Sequence, residues 1–102
     1  MSAFTHLSIN QLIHMQAADP ELAIVDIRDA ASFQAGHIAN SVNLNNENLA
    51  NFIADADMDK PLIVVCYHGM SSQGAASYMC EQGFDAVYSL DGGYSAWSLA
   101  NS

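Results

Sequence analysis

Apolar and polar residues alternate along this chain in a pattern typical of strands separated by helices. Short apolar runs rich in β-branched residues predict buried strands, and apolar positions spaced three and four residues apart predict amphipathic helices. The predicted strands cover residues 23–27, 40–44, 62–66 and 86–90. The predicted helices cover residues 8–19, 30–35, 46–54, 72–82 and 93–99.

Polar residues at the predicted boundaries support several of these helices. Ser8 and Gln11 have the spacing of a capping box at the start of the first helix. Asp29 is placed to cap the helix that ends before Gly36, and Gly83 follows the helix that starts near Ser72.

Strands that alternate with helices predict an α/β fold, in which a small parallel sheet is flanked by helices on both faces. The length of 102 residues predicts a single domain over residues 1–102. The order of the strands in space does not follow from this pattern. Ligands of such sheets bind outside the carboxyl ends of the strands, and the most apolar predicted strand ends at Cys66.

Composition and charge narrow the range of partners. The chain has 11 acidic and 2 basic residues and a formal charge of −9. It therefore lacks the clustered cations that bind nucleic acid or an anionic membrane. The longest apolar run, residues 62–67, is far shorter than the roughly 18–20 residues of a membrane span. The first ten residues lack the basic and apolar stretches of a signal peptide, and we expect a cytoplasmic protein.

Cysteine and histidine spacing gives no sign of a bound metal. The two cysteines, Cys66 and Cys80, lack the short spacing of a zinc site or a disulfide framework. No histidine pair has ligand spacing with a cysteine or a carboxylate. We therefore expect no bound metal.

Cys66 is followed by a short polar loop and then by a predicted helix. The loop is Tyr67-His68-Gly69-Met70-Ser71-Ser72. Backbone N–H groups of such a loop and helix start bind anions and lower the pKa of a neighbouring thiol. Gly69 permits the positive φ that a curled loop requires. A free cysteine is also common in buried cores, so these residues alone leave Cys66 as either a core residue or a nucleophile.

Three segments in register resemble the rhodanese family of sulfurtransferases. Residues 66–72 resemble its active-site loop. Val25-Asp-Ile-Arg-Asp29 with Phe33-x-x-Gly36-His37-Ile38 resembles its N-terminal signature, and Asp91-Gly-Gly-Tyr94-x-Ala96-Trp97 its C-terminal signature. The likeness spans residues 4–99 and is greatest to single-domain members. Two departures, Ala39-Asn40-Ser41 and Ala96, lie outside the loop, where we expect effects on packing.

The resemblance implies a rhodanese fold and sulfur transfer by double displacement, with no metal and no organic cofactor required. It implies that Cys66 is the catalytic nucleophile and attacks the outer sulfur of thiosulfate, and that the resulting persulfide passes its sulfur to cyanide or to a thiol such as thioredoxin. It also implies that Tyr67, His68, Gly69, Met70, Ser71 and Ser72 bind the substrate. Many rhodaneses carry basic residues in this loop and this chain has none, so thiosulfate affinity is expected to be poor.

Three other functions remain as alternatives. Related phosphatases and arsenate reductases use an Arg six residues after the cysteine to clamp an oxyanion; this chain has Ser72 there. A persulfide carrier fed by a protein donor would use the same Cys66 chemistry with a docking surface. A non-catalytic rhodanese-like binding module usually lacks the cysteine.

Several further residues have both a structural and a functional interpretation. Cys80 is expected in the core rather than as a resolving thiol, and Arg28 in an ion pair with Asp26 or Asp29 rather than on substrate. His37 is expected at a helix end, and Tyr94 and Trp97 in packing. Ser71 and Ser72 fit either a helix cap or a donor to bound sulfur.

Overall fold

A computed structural model describes residues 4–101, in which strands and helices alternate strictly. The strands are β1 (Thr5–Leu7), β2 (Ala23–Asp26), β3 (Ser41–Asn43), β4 (Leu62–Val65) and β5 (Val87–Leu90). The helices are α1 (Ile9–Ala18), α2 (Ala30–Ala35), α3 (Leu49–Asp55), α4 (Ser71–Gln82) and α5 (Gly93–Ala100).

The strands form one parallel sheet in the order β1-β5-β4-β2-β3. The apolar strand β4 lies at the centre, where Val64 pairs with Val25 of β2 on one side and with Ser89 of β5 on the other. All carboxyl ends of a parallel sheet meet at one edge, so Cys66 emerges in the middle of that edge.

Two apolar clusters cover the two faces of the sheet and confirm the predicted α/β architecture. Ile24, Ile63 and Val65 face a cluster that includes residues of α1 and α5. Val25 and Val64 face the opposite way, toward α3 and α4. Successive strand residues point to opposite faces, and both faces of β4 are buried, which explains why its sequence is continuously apolar.

The predicted capping residues are confirmed. Ser8 and Gln11 form a reciprocal capping box at α1, and the Asp29 carboxylate accepts the Ser32 N–H at α2. Gly83 ends α4 with a left-handed φ of 115°. The Asp29 cap fixes the loop after β2 at the same edge of the sheet as Cys66.

One strand and several element boundaries differ from the prediction. Strand β1 was not predicted, because it has three residues and only Leu7 is buried. Helix α3 starts at Leu49 rather than at residue 46, because the Asn45 side chain accepts the N–H groups of Glu47 and Asn48 and holds a turn there. Strand β4 ends at Val65, so Cys66 lies just outside the strand that was predicted to contain it. None of the helices within residues 4–101 is long and apolar enough to span a membrane.

Candidate active site

Cys66 lies at the base of a loop that connects β4 to α4, and its side chain is only 3% exposed. The Gly69 N–H donates to the Cys66 Sγ at 3.1 Å, and the Ser72 N–H donates to it at 3.2 Å. The Ser72 hydroxyl oxygen lies 3.2 Å from the same sulfur. Donors from both the loop and the first turn of α4 therefore converge on one sulfur, an arrangement that stabilises negative charge there.

Gly69 gives the loop its curl. Its φ is 88°, which confirms the predicted positive value. A side chain here would also be crowded, because a Cβ would lie 2.8 Å from the Gly92 nitrogen and 3.1 Å from the Leu90 carbonyl oxygen. The loop is thus pressed against the chain that follows β5, and only glycine fits at the contact.

The balance of burial and hydrogen bonding favours the thiolate of Cys66. Burial raises the pKa of the thiol, because an apolar environment disfavours the charged form. The Ser72 hydroxyl and the N–H groups of Ser72, Gly69 and His68 act in the opposite direction. Their combined effect is larger, so the pKa of Cys66 lies below its ordinary value. A depressed pKa populates the nucleophilic form of a cysteine.

The N-terminus of α5 holds the loop from behind. The Tyr94 N–H donates to the Cys66 carbonyl at 2.8 Å, and the Ser95 N–H donates to the Tyr67 carbonyl at 3.0 Å. Gly93, with a φ of 59°, makes this approach possible, because a Cβ there would collide with the Cys66 and Tyr67 carbonyl groups. The start of α5 therefore positions the backbone of the loop without touching the sulfur.

Arg28 forms the buried ion pair that was expected of it. Its guanidinium donates to the Asp26 carboxylate at 2.8 Å and to the Gly36 carbonyl at 2.7 Å. The guanidinium also lies 4.1 Å from the centre of the Tyr94 ring. Its charge is paired with Asp26, and none of its hydrogen bonds reaches Cys66. Arg28 therefore supports the loops around the site and does not bind the sulfur.

Tyr67 connects the loop to the cap of α2. Its hydroxyl donates to the Asp29 carboxylate and lies 2.9 Å from the Ser32 hydroxyl oxygen. Hydrogen bonds from the Ser32 backbone and side chain lower the pKa of Asp29, so this acceptor stays ionised to low pH. The Tyr67 ring remains partly exposed, which places it on the rim of the site.

The other predicted loop residues contribute differently. His68 and Ser71 are exposed, and Met70 is 74% exposed. Met70 rather than a serine occupies the N-cap of α4 and makes no side-chain cap. Of the two interpretations of Ser71 and Ser72, the helix cap is therefore wrong for both residues. Ser72 is fully buried and turns toward the sulfur instead.

The side chains of four further residues singled out in the sequence pack against other parts of the fold. Cys80 is a free thiol packed against the cluster under α4. The His37 Nδ1 lies 2.7 Å from the Phe33 carbonyl in the last turn of α2, and the two rings stack. Tyr94 and Trp97 pack against the cluster on the α1 and α5 face. Within residues 4–101 no group of three or more His, Cys, Asp or Glu side chains is placed to hold a metal ion.

A groove of about 550 Å³ lies beside the site, between the loops after β2 and β3 and helix α4. Its lining residues include Asp29, Leu44, Leu49 and Tyr78, but not Cys66. The candidate site is therefore identified by the donors around Cys66 and not by the volume of this groove.

Comparison with known protein sequences agrees with this geometry. The model of the rhodanese-like domain family matches residues 8–100. The thiosulfate sulfurtransferase GlpE of Shewanella oneidensis is 67% identical over 102 residues, which is all of both chains. The thiosulfate sulfurtransferase GlpE of Pseudoalteromonas translucida is 54% identical over 98% of this chain and 94% of that protein.

Solved structures show the same fold at lower identity. A rhodanese-like domain protein from Staphylococcus aureus superposes with a TM-score of 0.79 at 22% identity, covering 92% of this chain and 91% of that one. The rhodanese-like domain of the Anabaena protein Alr3790 gives 0.83 at 20% identity, covering 98% and 77%. The family model spans nearly the whole chain and the sequence relatives are full-length, so the chain belongs to the family of rhodanese-like domains.

Proposed function

We propose that this chain is a thiosulfate sulfurtransferase that acts through a persulfide on Cys66. One observation carries the proposal: the Cys66 sulfur lies in a cradle of N–H and hydroxyl donors that lowers its pKa. The names of the full-length relatives support the same substrate. The geometry of the cradle supports chemistry at the sulfur, and the names of these relatives point to thiosulfate as the molecule that supplies the sulfur atom.

In the first half-reaction the Cys66 thiolate attacks the outer sulfur of thiosulfate. A Cys66–S bond forms, the bond between the two thiosulfate sulfurs breaks, and its electron pair leaves on sulfite. The resulting persulfide carries a negative charge on its terminal sulfur. No proton is transferred in this step, so the site needs charge-stabilising donors rather than a general acid. The loop N–H groups are donors of that kind.

In the second half-reaction an acceptor nucleophile attacks the terminal sulfur. Its bond to the Cys66 Sγ breaks, and the electron pair returns to Sγ as the thiolate. We propose cyanide as the assay acceptor and a thiol, such as that of thioredoxin, as the acceptor in a cell. Cys66 is the leaving group here, and a thiol of low pKa leaves faster.

The charges around the loop favour sulfur transfer over phosphoryl or arsenate chemistry. Those reactions rely on an arginine that clamps the oxyanion. Arg28, the only arginine in the chain, is paired with Asp26 and lies in another loop. A persulfide carrier fed by a protein donor remains the second candidate, because it uses the same Cys66 site. The two cysteines are free thiols, which fits the reducing cytoplasm that we propose as its location.

Intact-protein mass spectrometry after incubation with thiosulfate tests this function. We expect the wild-type chain to gain one sulfur atom and to lose it after cyanide is added. Cys66→Ser should gain nothing, whereas Cys80→Ser should behave as wild type, because Cys80 is partly buried beneath α4 and lies away from the loop. A gain of sulfur by Cys66→Ser would refute the mechanism. No gain by the wild type would reject thiosulfate as donor, and a persulfidated protein would then be supplied to test the carrier.

A further inference from the structure

A buried line of hydroxyl groups extends from the nucleophile into the sheet. The Ser72 Oγ lies 3.2 Å from the Cys66 Sγ and 2.8 Å from the Ser89 Oγ. Ser72 and Ser89 are both fully buried. Ser89 belongs to β5, beside β4 in the sheet, so a residue distant from the loop in sequence reaches the site through one intermediate hydroxyl.

Counting protons along this line shows which form of the sulfur it fits. The line has two contacts, and each contact accommodates one proton. With a thiolate, the Ser89 hydroxyl donates to the Ser72 Oγ and the Ser72 hydroxyl donates to the sulfur, so both protons are paired. With a thiol there are three protons for two contacts, and one proton is left without a partner on the line. An unpaired buried donor is costly, so the line favours the ionised sulfur.

We propose that Ser89 is a positioning residue of the active site, which donates to the Ser72 Oγ and thereby directs the Ser72 hydroxyl proton toward the Cys66 sulfur. The proposal rests on the proposed sulfur transfer for its role in the reaction. Ser89 then assists twice: it helps form the attacking thiolate, and it stabilises the same thiolate when Cys66 leaves the persulfide. Hydrogen bonds in a buried chain strengthen one another, which is why a residue that does not touch the sulfur affects it.

The test measures ionisation of Cys66 directly, without sulfur transfer. The rate of alkylation of Cys66 by iodoacetamide is followed against pH by intact mass, with Cys66→Ser to subtract reaction at Cys80. For Ser89→Ala we expect the midpoint to move to higher pH. At a pH below both midpoints the rate should fall by up to about fivefold, the upper size expected when the hydrogen bond to the charged sulfur loses about 10–30% of its strength. Ser89→Thr keeps a hydroxyl and should restore most of the rate.

A double-mutant comparison distinguishes this role from general damage to the core. Ser89 acts only through Ser72, so Ser89→Ala should have no additional effect on the midpoint in a Ser72→Ala background. Ser41→Ala is the matched control: Ser41 lies on β3, away from the loop, and its hydroxyl donates to the Ile38 carbonyl. It should leave the midpoint unchanged.

Two results would overturn the proposal. One is an unchanged midpoint in a folded Ser89→Ala chain, and the other is an equal shift with and without the Ser72 hydroxyl. If Ser89→Ala fails to fold, the alkylation midpoint of Ser89→Thr decides instead. A Ser89→Thr midpoint equal to that of the wild type supports the role, and one equal to that of Ser72→Ala rejects it. Absence of sulfur transfer in the wild type would reject the proposed function and leave the alkylation result standing.

Discussion

Replacing Gly93 by alanine should damage the protein although Gly93 takes no part in the chemistry. The new Cβ would lie 2.6 Å from the Tyr67 carbonyl carbon and 2.7 Å from its oxygen, and it would also overlap the Cys66 carbonyl oxygen. These are backbone atoms, which cannot rotate away as a side chain can. The start of α5 would have to withdraw from the loop.

The size of the effect follows from the contacts that would be lost. A left-handed conformation costs an alanine about 1–2 kcal/mol. Withdrawal of α5 breaks the Tyr94 N–H bond to the Cys66 carbonyl and the Ser95 N–H bond to the Tyr67 carbonyl, each with a net contribution of about 0.5–1.5 kcal/mol. We therefore expect Gly93→Ala to lower the free energy of unfolding by about 2–5 kcal/mol.

Urea denaturation followed by circular dichroism measures this loss, with the slope m checked for two-state behaviour. Gly74→Ala is the matched control: Gly74 lies inside α4, and a Cβ there meets nothing within 4 Å. It should stabilise the chain by about 0.5–1 kcal/mol, because alanine is the better helix former. Equal stability of Gly93→Ala and wild type would refute the idea that α5 holds the loop through this close approach.

Three further predictions concern other parts of the site. Gly69→Val should lower the free energy of unfolding by at least about 1–2 kcal/mol, because valine disfavours the positive φ at this position. It should also slow persulfide formation, measured by mass, because the N–H of residue 69 would turn away from the sulfur. An unchanged rate would contradict this. Arg28→Met should cost about 3–5 kcal/mol in urea denaturation by leaving Asp26 buried and unpaired, and Arg28→Met with Asp26→Asn should cost less. The low pKa of Cys66 contributes stability in full above the pKa of the unfolded thiol, and this is lost as the pH falls through the folded pKa. The stability of wild type relative to Cys66→Ser should therefore increase from neutral pH into the alkaline range, and a flat difference would show that the pKa is not lowered.

The parts of the fold with strong local signals could be predicted from the sequence. Continuous burial of β4 leaves an apolar run, and the Ser8 capping box and the Asp29 cap depend on residues close together in the chain. Strand β1 has only three residues, of which one is buried, so it is too short to show the alternation of apolar and polar residues that predicts a strand. The turn that the Asn45 side chain holds delays the start of α3, and in sequence this turn looks like any other polar loop.

The candidate nucleophile could be located from sequence, but the contacts that support it could not. Cys66, Gly69 and Ser72 lie within seven residues, and the glycine and the strand before them indicate a curled loop. The contacts of Ser89 and Gly93 with this loop depend on β5 pairing beside β4. Strand order is set by packing across the whole chain and has no local signal. Sequence leaves two interpretations of Ser72, because a serine at the start of a helix can direct its hydroxyl to the helix backbone or to a sulfur.

The cradle around the Cys66 sulfur is built in large part from backbone atoms, so the side chains on the outside of the loop are free to vary. Two of its donors are main-chain N–H groups, which every residue except proline possesses. The side chains of His68 and Met70 point outward and do not build the cradle. Substitution at these two positions can therefore alter the molecules that approach the sulfur while leaving its reactivity intact. The side chains that meet incoming molecules and the Gly69 and Ser72 N–H groups that hold the sulfur thus belong to different residues of one loop, so each set can change without the other.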